Sequence, residues 1–319
     1  MKLRCAVLDD YQRAAASLAD WSSLEDRVEV EFFHEHEDDE DKLAAALERF
    51  EIIVIMRERT PFRASLLGRL PRLKLLVTTG MRNASVDLAA AAGQGVAVCG
   101  TRGNPEPTPE LTWALILGLA RRLVPEHQAL RSNGPWQSTL GIDLYGKRLG
   151  LLGLGTVGSR VARVGLAFGM EVAAWSPNLT AERAAEVGVQ LAASKEELLE
   201  SSDFVSVHLV LGDRSRGLLG REELKRMRPT AYLINTSRAP IVDREALVEA
   251  LQEGWIAGAG VDVYDREPLP ADDVFRTLPN VLTTPHLGYV TERNYRTFYG
   301  DAVEDIRAFL AGEPVRKLN

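Results

Sequence analysis

Short apolar runs alternate along this chain with longer stretches whose apolar residues return every third or fourth position, the pattern of strands interleaved with amphipathic helices. In the first third, the runs at 3–8, 28–33, 52–56, 73–78 and 96–99 predict strands. Between them, 12–18, 42–50 (Leu43 and Leu47 one turn apart) and 86–92 predict helices. The rhythm resumes later. Strands are expected at 149–154, 171–175, 203–209, 232–235, 257–263 and 281–283. Helices are expected at 159–169, 182–187, 195–200, 221–227 and 244–253, with Ser194 placed to cap the one that follows it. Strand and helix alternating at this spacing predict an α/β fold of parallel, doubly wound sheets. A last helical stretch, 293–310, is free to return to the first sheet and make that domain discontinuous.

Gly103-Asn104-Pro105-Glu106-Pro107 reads as a linker. Thr108-Pro109-Glu110 then opens a helix, with Thr108 as N-cap, Pro109 at the first helical position and Glu110 in the first turn. That helix is apolar nearly all round from 111 to 119, so most of its faces must be covered. It is read as a domain-bridging helix with room for a second subunit on one side. Pro125 should kink or end it. The expected division is one domain of 1–103 with 289–319 and a second of 104–288.

The densest chemistry lies at 149–158, Leu-Gly-Leu-Leu-Gly-Leu-Gly-Thr-Val-Gly. Gly153 allows a tight turn, Gly155 lets backbone approach a pyrophosphate, and Gly158 lets the following helix pack close to its strand. Thr156 and Val157 lie in the turn, and the free N–H groups and partial positive charge at the start of the helix that follows suit phosphate. A lone GxGxxG is a short pattern. Here it sits between a strand and a helix that leads to another strand, which is the context a dinucleotide site requires.

Composition narrows the partners. A length of 319 residues suits two domains. A net charge of −7 and the absence of a long basic run argue against nucleic acid. Cys5 and Cys99 lie in apolar strand settings outside any CxxC, so buried reduced thiols and no metal site are expected. The run from His34 to Asp41 is read as a solvated acidic loop and helix start rather than a metal site. The most apolar stretch is too short to span a bilayer, and the N-terminal apolar run is too short for a signal peptide. A cytoplasmic protein with a small-molecule partner and no membrane contact is expected.

Three strand ends in the second half carry unusual side chains. Asn235-Thr236-Ser237-Arg238 puts an arginine past one strand. Asp262-Val263-Tyr264-Asp265-Arg266-Glu267-Pro268 puts carboxylates past the next, and Thr284-Pro285-His286-Leu287-Gly288 puts a histidine past the last. Ligands bind at the carboxyl ends of parallel strands in open α/β sheets. With the glycine turn, these motifs in this order resemble the D-2-hydroxyacid dehydrogenases over essentially the whole chain. That family includes the D-lactate, glycerate/hydroxypyruvate and D-3-phosphoglycerate enzymes.

The resemblance implies a Rossmann-type cofactor domain inserted into a flavodoxin-like substrate domain, a homodimer, and hydride transfer between a nicotinamide cofactor and a small 2-oxo or D-2-hydroxy acid. By the same resemblance, Arg238 would hold the substrate carboxylate, His286 would be the general acid–base and Glu267 would orient its ring. Asp262 would meet the nicotinamide carboxamide. Thr79, Gly80 and Met81 would bind the substrate carboxylate through backbone amides. Gly153, Gly155, Thr156, Val157, Gly158, Ser176, Leu209, Val210, Ser215 and Thr236 complete the cofactor contacts, with Arg238 and His286. His208 matches a structural position. Arg57 and Arg82 follow strands near the expected crevice and are candidates for a second anionic group of the substrate.

Departures from the family pattern also matter. Ser176 stands where an Asp usually binds the adenosine ribose, so a 2′-phosphate would not be repelled, yet the nearest downstream arginine is Arg183. NAD is the expected cofactor and NADP is possible. Ala239 replaces a usual glycine, and Val210 a usual proline. Glu267 sets the chain apart from formate dehydrogenases, which pair the histidine with Gln. The alternative function is a nucleotide-sensing, corepressor-like binding protein on the same fold.

Overall fold

The computed structural model describes residues 2–319, which form two compact units, Met1–Asn104 with Val290–Asn319, and Pro105–Tyr289. The first unit holds β1 (Leu3–Val7), β2 (Val28–Phe32), β3 (Ile52–Ile55), β4 (Leu75–Thr78) and β5 (Ala97–Gly100), all parallel in the order β2-β1-β3-β4-β5. This is the flavodoxin-like order. β3 and β4 are buried along their whole length, which is why they read as unbroken apolar runs. The helix Glu292–Leu310 buries Tyr295, Phe298, Tyr299 and Ile306 in this unit. The last residues then run antiparallel along β5: Leu318 N donates to Val98 O at 2.8 Å and Gly100 N to Arg316 O at 3.0 Å. That pairing covers a sheet edge that would otherwise stand open.

The second unit holds β6 (Arg148–Leu152), β7 (Glu171–Trp175), β8 (Gln190–Leu191), β9 (Phe204–Val207), β10 (Tyr232–Asn235), β11 (Gly258–Val261) and β12 (Val281–Thr283). All are parallel, in the order β12-β11-β10-β9-β6-β7-β8. The chain order reverses at β6, between β7 and β9, which is the switch point where such sheets bind ligands. The helix Pro107–Ala120 lies on β10–β12, close enough that a Cβ at Gly118 would come within 2.7 Å of Leu282. Its apolar faces are thus largely covered within its own unit. Among the described residues no helix is long and apolar enough to cross a membrane.

Several expected boundaries moved for local reasons. Pro107, not Pro109, takes the first helical position, and Glu106 precedes it. The Thr108 hydroxyl does not cap: it donates to Gly288 O at 2.8 Å. Pro125 neither kinks nor ends the long helix. The chain breaks earlier, at Arg122 in the left-handed region, and Pro125 sits in the first turn of a new helix, Leu123–Arg131, where its missing N–H costs nothing. The first helix shrinks to Ala15–Leu18 because the Asp10 carboxylate accepts from Ala14 N and Ala15 N, which closes a turn ahead of it. Ser194 caps its helix as expected, accepting from Glu197 N at 3.0 Å. Cys5 and Cys99 are both fully buried, and burial pushes the Cys99 thiol up to about 11.

Candidate functional site

The glycine turn joins β6 to the helix Thr156–Ala167 at the switch point. Gly153 has φ +103°, and a Cβ there would lie 2.7 Å from the His208 carbonyl oxygen. A Cβ at Gly158 would collide with the Gly153 carbonyl. Each glycine is thus demanded by the backbone itself. Gly155 differs: its φ is −77°, nothing lies within 4 Å of its Cβ position, and no side chain caps the helix it begins. Gly155 and Thr156 are exposed and Val157 half-buried. The open space at Gly155 and the uncapped N–H groups fit a pyrophosphate.

Just past β9, beside β6, comes His208, whose ring meets Ser206 Oγ at 2.9 Å and is driven down to about 3 by burial, so it stays neutral and structural. The next loop is closed by Ser215, whose hydroxyl donates to Val210 O at 2.7 Å and accepts from Gly212 N at 2.9 Å; Val210 itself projects outward. Leu209 O accepts from Ser237 Oγ at 2.5 Å, tying this loop to the end of β10. There Thr236 is buried with its hydroxyl 2.8 Å from that of Thr112. The Asn235 side chain brackets the turn, with Oδ1 accepting from Ser237 N at 3.0 Å and Nδ2 donating to Arg238 O at 3.1 Å. Arg238 donates to Ser237 O at 2.8 Å and keeps part of its surface open.

Glu267 and His286 follow β11 and β12, the next two strands along the same edge. His286 Nδ1 lies 2.6 Å from Glu267 Oε2, and the other Glu267 oxygen accepts from Tyr264 N at 2.9 Å. The carboxylate is therefore fixed at both oxygens and fixes the ring in turn. His286 itself has φ +51°, a strained conformation for a non-glycine residue. Asp262 braces it from beneath. Its Oδ1 accepts from Thr284 Oγ1 at 2.6 Å and Leu287 N at 2.7 Å, and Oδ2 from Gly288 N at 2.9 Å. Burial pushes its carboxyl above the usual range, against hydrogen bonds that favour the anion. Asp262 has no exposed surface, and both of its oxygens accept from the histidine loop.

In the first unit, the loop after β4 is organised differently from the expectation. Thr79 N donates to Ile55 O at 3.0 Å and Gly80 N to Thr101 Oγ1 at 2.8 Å, so neither amide is open to a substrate; the ladder and a distant hydroxyl claim them. Among the described residues the Met81 amide takes no hydrogen bond, and its side chain is exposed. Arg57, with φ +52°, lies over Gly80 so closely that a Cβ there would strike its guanidinium, and it donates to Thr79 O at 3.1 Å. Asn83, not foreseen from the sequence, donates to Arg57 O and Thr78 Oγ1 and shapes the same loop. Arg82 points outward. Farther along, His36 lies 3.0 Å from Asp9 and 3.3 Å from Asp38, while Asp39 caps a helix.

Comparison with known proteins finds relatives for this chain. The model of the D-isomer specific 2-hydroxyacid dehydrogenase NAD-binding domain matches residues 113–288. A glyoxylate reductase of Aeropyrum pernix is 40% identical over 78% of this chain and 76% of its own. A D-3-phosphoglycerate dehydrogenase of Bacillus subtilis is 36% identical over 82% of this chain, which spans only 50% of that protein. An oxidoreductase of known structure from Ralstonia solanacearum is 37% identical, with TM-score 0.95 over 100% of this chain and 97% of its own. All three bear the names of enzymes, and nothing among them favours the nucleotide-sensing alternative. The chain belongs to the D-isomer specific 2-hydroxyacid dehydrogenase family and is an NAD(P)-dependent oxidoreductase acting on CH–OH donors.

Proposed function

We propose that this enzyme reduces a small 2-oxo acid, with glyoxylate the first candidate, through Arg238, Glu267 and His286. The observation that carries the reading is the 2.6 Å contact of His286 Nδ1 with a carboxylate whose other oxygen is already held. With Nδ1 so engaged, Nε2 is left to give a proton to the substrate's carbonyl oxygen in reduction, or take it from the hydroxyl in oxidation. Such general acid–base catalysis is typically worth ~10²–10⁴-fold. Arg238 holds the substrate carboxylate with its planar fork and draws electron density from the neighbouring carbonyl. Glu267 orients the ring, and Asp262 positions the loop that carries it.

The nicotinamide, when bound, supplies or accepts the hydride. Gly153, Gly155, Thr156, Val157 and Gly158 would hold the pyrophosphate, with Ser176, Leu209, Val210, Ser215 and Thr236 along the rest of the dinucleotide. The unit Pro105–Tyr289 is accordingly assigned the cofactor, and the other unit the substrate loop, with Met81 as its amide donor. Of the two arginines considered for a second anionic group, Arg57 is the better placed, because its guanidinium already lies on that loop.

A homodimer formed through the second unit is also proposed. Trp136, Leu140 and Tyr145 are 78%, 95% and 82% exposed there, with Leu123 and Leu130 also open. All five fall within the segment 123–145, and exposed large apolar side chains clustered in this way mark an interaction site. A cytoplasmic location is proposed from the family and the reduced thiols. The test is oxidation of NADH and NADPH against glyoxylate, hydroxypyruvate, pyruvate, phenylpyruvate and 2-oxoglutarate. Turnover with glyoxylate is expected; tight nucleotide binding without turnover of any acid would contradict the reading.

A further inference from the structure

We propose that the cofactor site selects a 2′-phosphorylated dinucleotide, NADPH over NADH, and that Arg183 is the residue that recognises the extra phosphate. The proposal rests on the assignment of the glycine turn to the pyrophosphate. It starts from the end of β7. Gly153 N donates to Trp175 O at 2.9 Å, so the residue after this strand, Ser176, stands directly beside the first glycine of the turn. That is where a carboxylate selects an unmodified ribose by hydrogen bonding its hydroxyls and repelling a phosphate. Ser176 has neither the charge nor the reach to do so.

The chain past Ser176 then folds back. Leu179 N donates to Ser176 O at 3.1 Å, Thr180 caps the helix Ala181–Val187, and Arg183 lies in its first turn. The Arg183 side chain returns across this turn and donates to Ser159 Oγ at 3.0 Å. Ser159 is buried on the glycine helix, and its hydroxyl donates in turn to Leu154 O, between the first two glycines, at 3.1 Å. A guanidinium carried by the helix that follows β7 is thereby held, through Ser159, against the glycine turn. The linear sequence hides this, because Arg183 is seven positions past Ser176 rather than next to it.

The guanidinium remains available. Its N–H groups outnumber the two acceptors it meets, Ser159 Oγ and Glu186 Oε2 at 3.0 Å. The Glu186 partner is a surface pair, with side chains 45% and 65% exposed, and such pairs yield easily to a doubly charged phosphate. The other nearby carboxylate, Glu182, is occupied with its own backbone N–H and with Thr180.

The test is binding, read by calorimetry on the whole protein without substrate, using NADPH, NADH, 2′,5′-ADP and 5′-ADP. The wild type should bind NADPH and 2′,5′-ADP at least about tenfold more tightly than NADH and 5′-ADP, as a charge-assisted contact implies. Arg183→Ala should remove that advantage and leave NADH affinity within about twofold, while Ser176→Asp should reverse the order of preference. Equal or tighter NADH binding by the wild type would overturn the proposal and leave the pyrophosphate assignment intact. An Arg183→Ala variant that loses both cofactors alike would overturn it too, by making Arg183 only a brace. If none of the four nucleotides binds, the cofactor assignment fails and the proposal with it.

Discussion

Among the described residues eight non-glycine residues have positive φ, and three of them stand where strands end. Asp9, Arg57 and His286 all have positive φ without being glycine, and each stands just past a strand of its sheet. Such conformations persist only where the surroundings over-determine them. At His286 the surroundings are Asp262, Thr284 and Glu267, and the reward is a ring whose direction is set before a substrate arrives. Arg238 is held by the backbone turn at Asn235, so its shape matters as well as its charge. Arg238→Lys keeps the charge and loses the fork. It should raise KM for the 2-oxo acid and lower kcat/KM by roughly 10²-fold at unchanged cofactor affinity, since a charged hydrogen bond is worth about 1.5–3 kcal/mol. Steady-state kinetics beside a nucleotide titration will read both.

Within the glycine turn the two outer positions are structural and the middle one is not. Gly158→Ala forces a Cβ into the Gly153 carbonyl and should lower the melting temperature by several degrees, a loss of about 1–3 kcal/mol. Gly155→Ala meets open space, so thermal stability should hold while affinity for either dinucleotide falls. Thermal melts paired with calorimetry separate the two. The elements themselves were largely legible. β10 and β12 stand where the pattern placed them, because Pro and Asn stand near their ends and their centres, Leu233-Ile234 and Val281-Leu282, are apolar. What was hidden is non-local. The Gly80 amide is taken by Thr101, the Thr108 hydroxyl by Gly288, and Arg183 reaches Ser159 across a helix pair. β8 is only two exposed residues long, too short to leave a periodic signal. A further element-scale effect follows from the loop after β2. Hydrogen bonding to Asp9 raises His36 above its ordinary 6.5, against burial, with Asp38 adding to the rise. The folded value exceeds the unfolded one, so this pair stabilises fully below about pH 6.5 and the contribution fades as pH rises through the folded value. His36→Asn should therefore cost about 1–3 kcal/mol near pH 6 and much less near pH 9, in melts recorded across that range.

At the scale of the whole molecule, the chain builds two all-parallel sheets. One carries the glycine turn, arginine, carboxylate and histidine along a single carboxyl edge; the other carries the loop pinned by Arg57 and Asn83. The order of motifs made the first legible from sequence. The second was only partly so, since its shape depends on hydrogen bonds from remote strands. The exposed Trp136, Leu140 and Tyr145 predict a particle of twice the chain mass in light scattering, and Trp136→Asp with Leu140→Asp should yield a folded monomer. A monomeric wild type would refute the dimer. The most direct test of the central claim is the initial rate of glyoxylate-dependent NADH and NADPH oxidation by the wild type and by His286→Ala, with cofactor affinity measured on both. The account predicts turnover by the wild type and a loss of ~10²–10⁴-fold in the variant at unchanged affinity. Undiminished turnover in His286→Ala would contradict it.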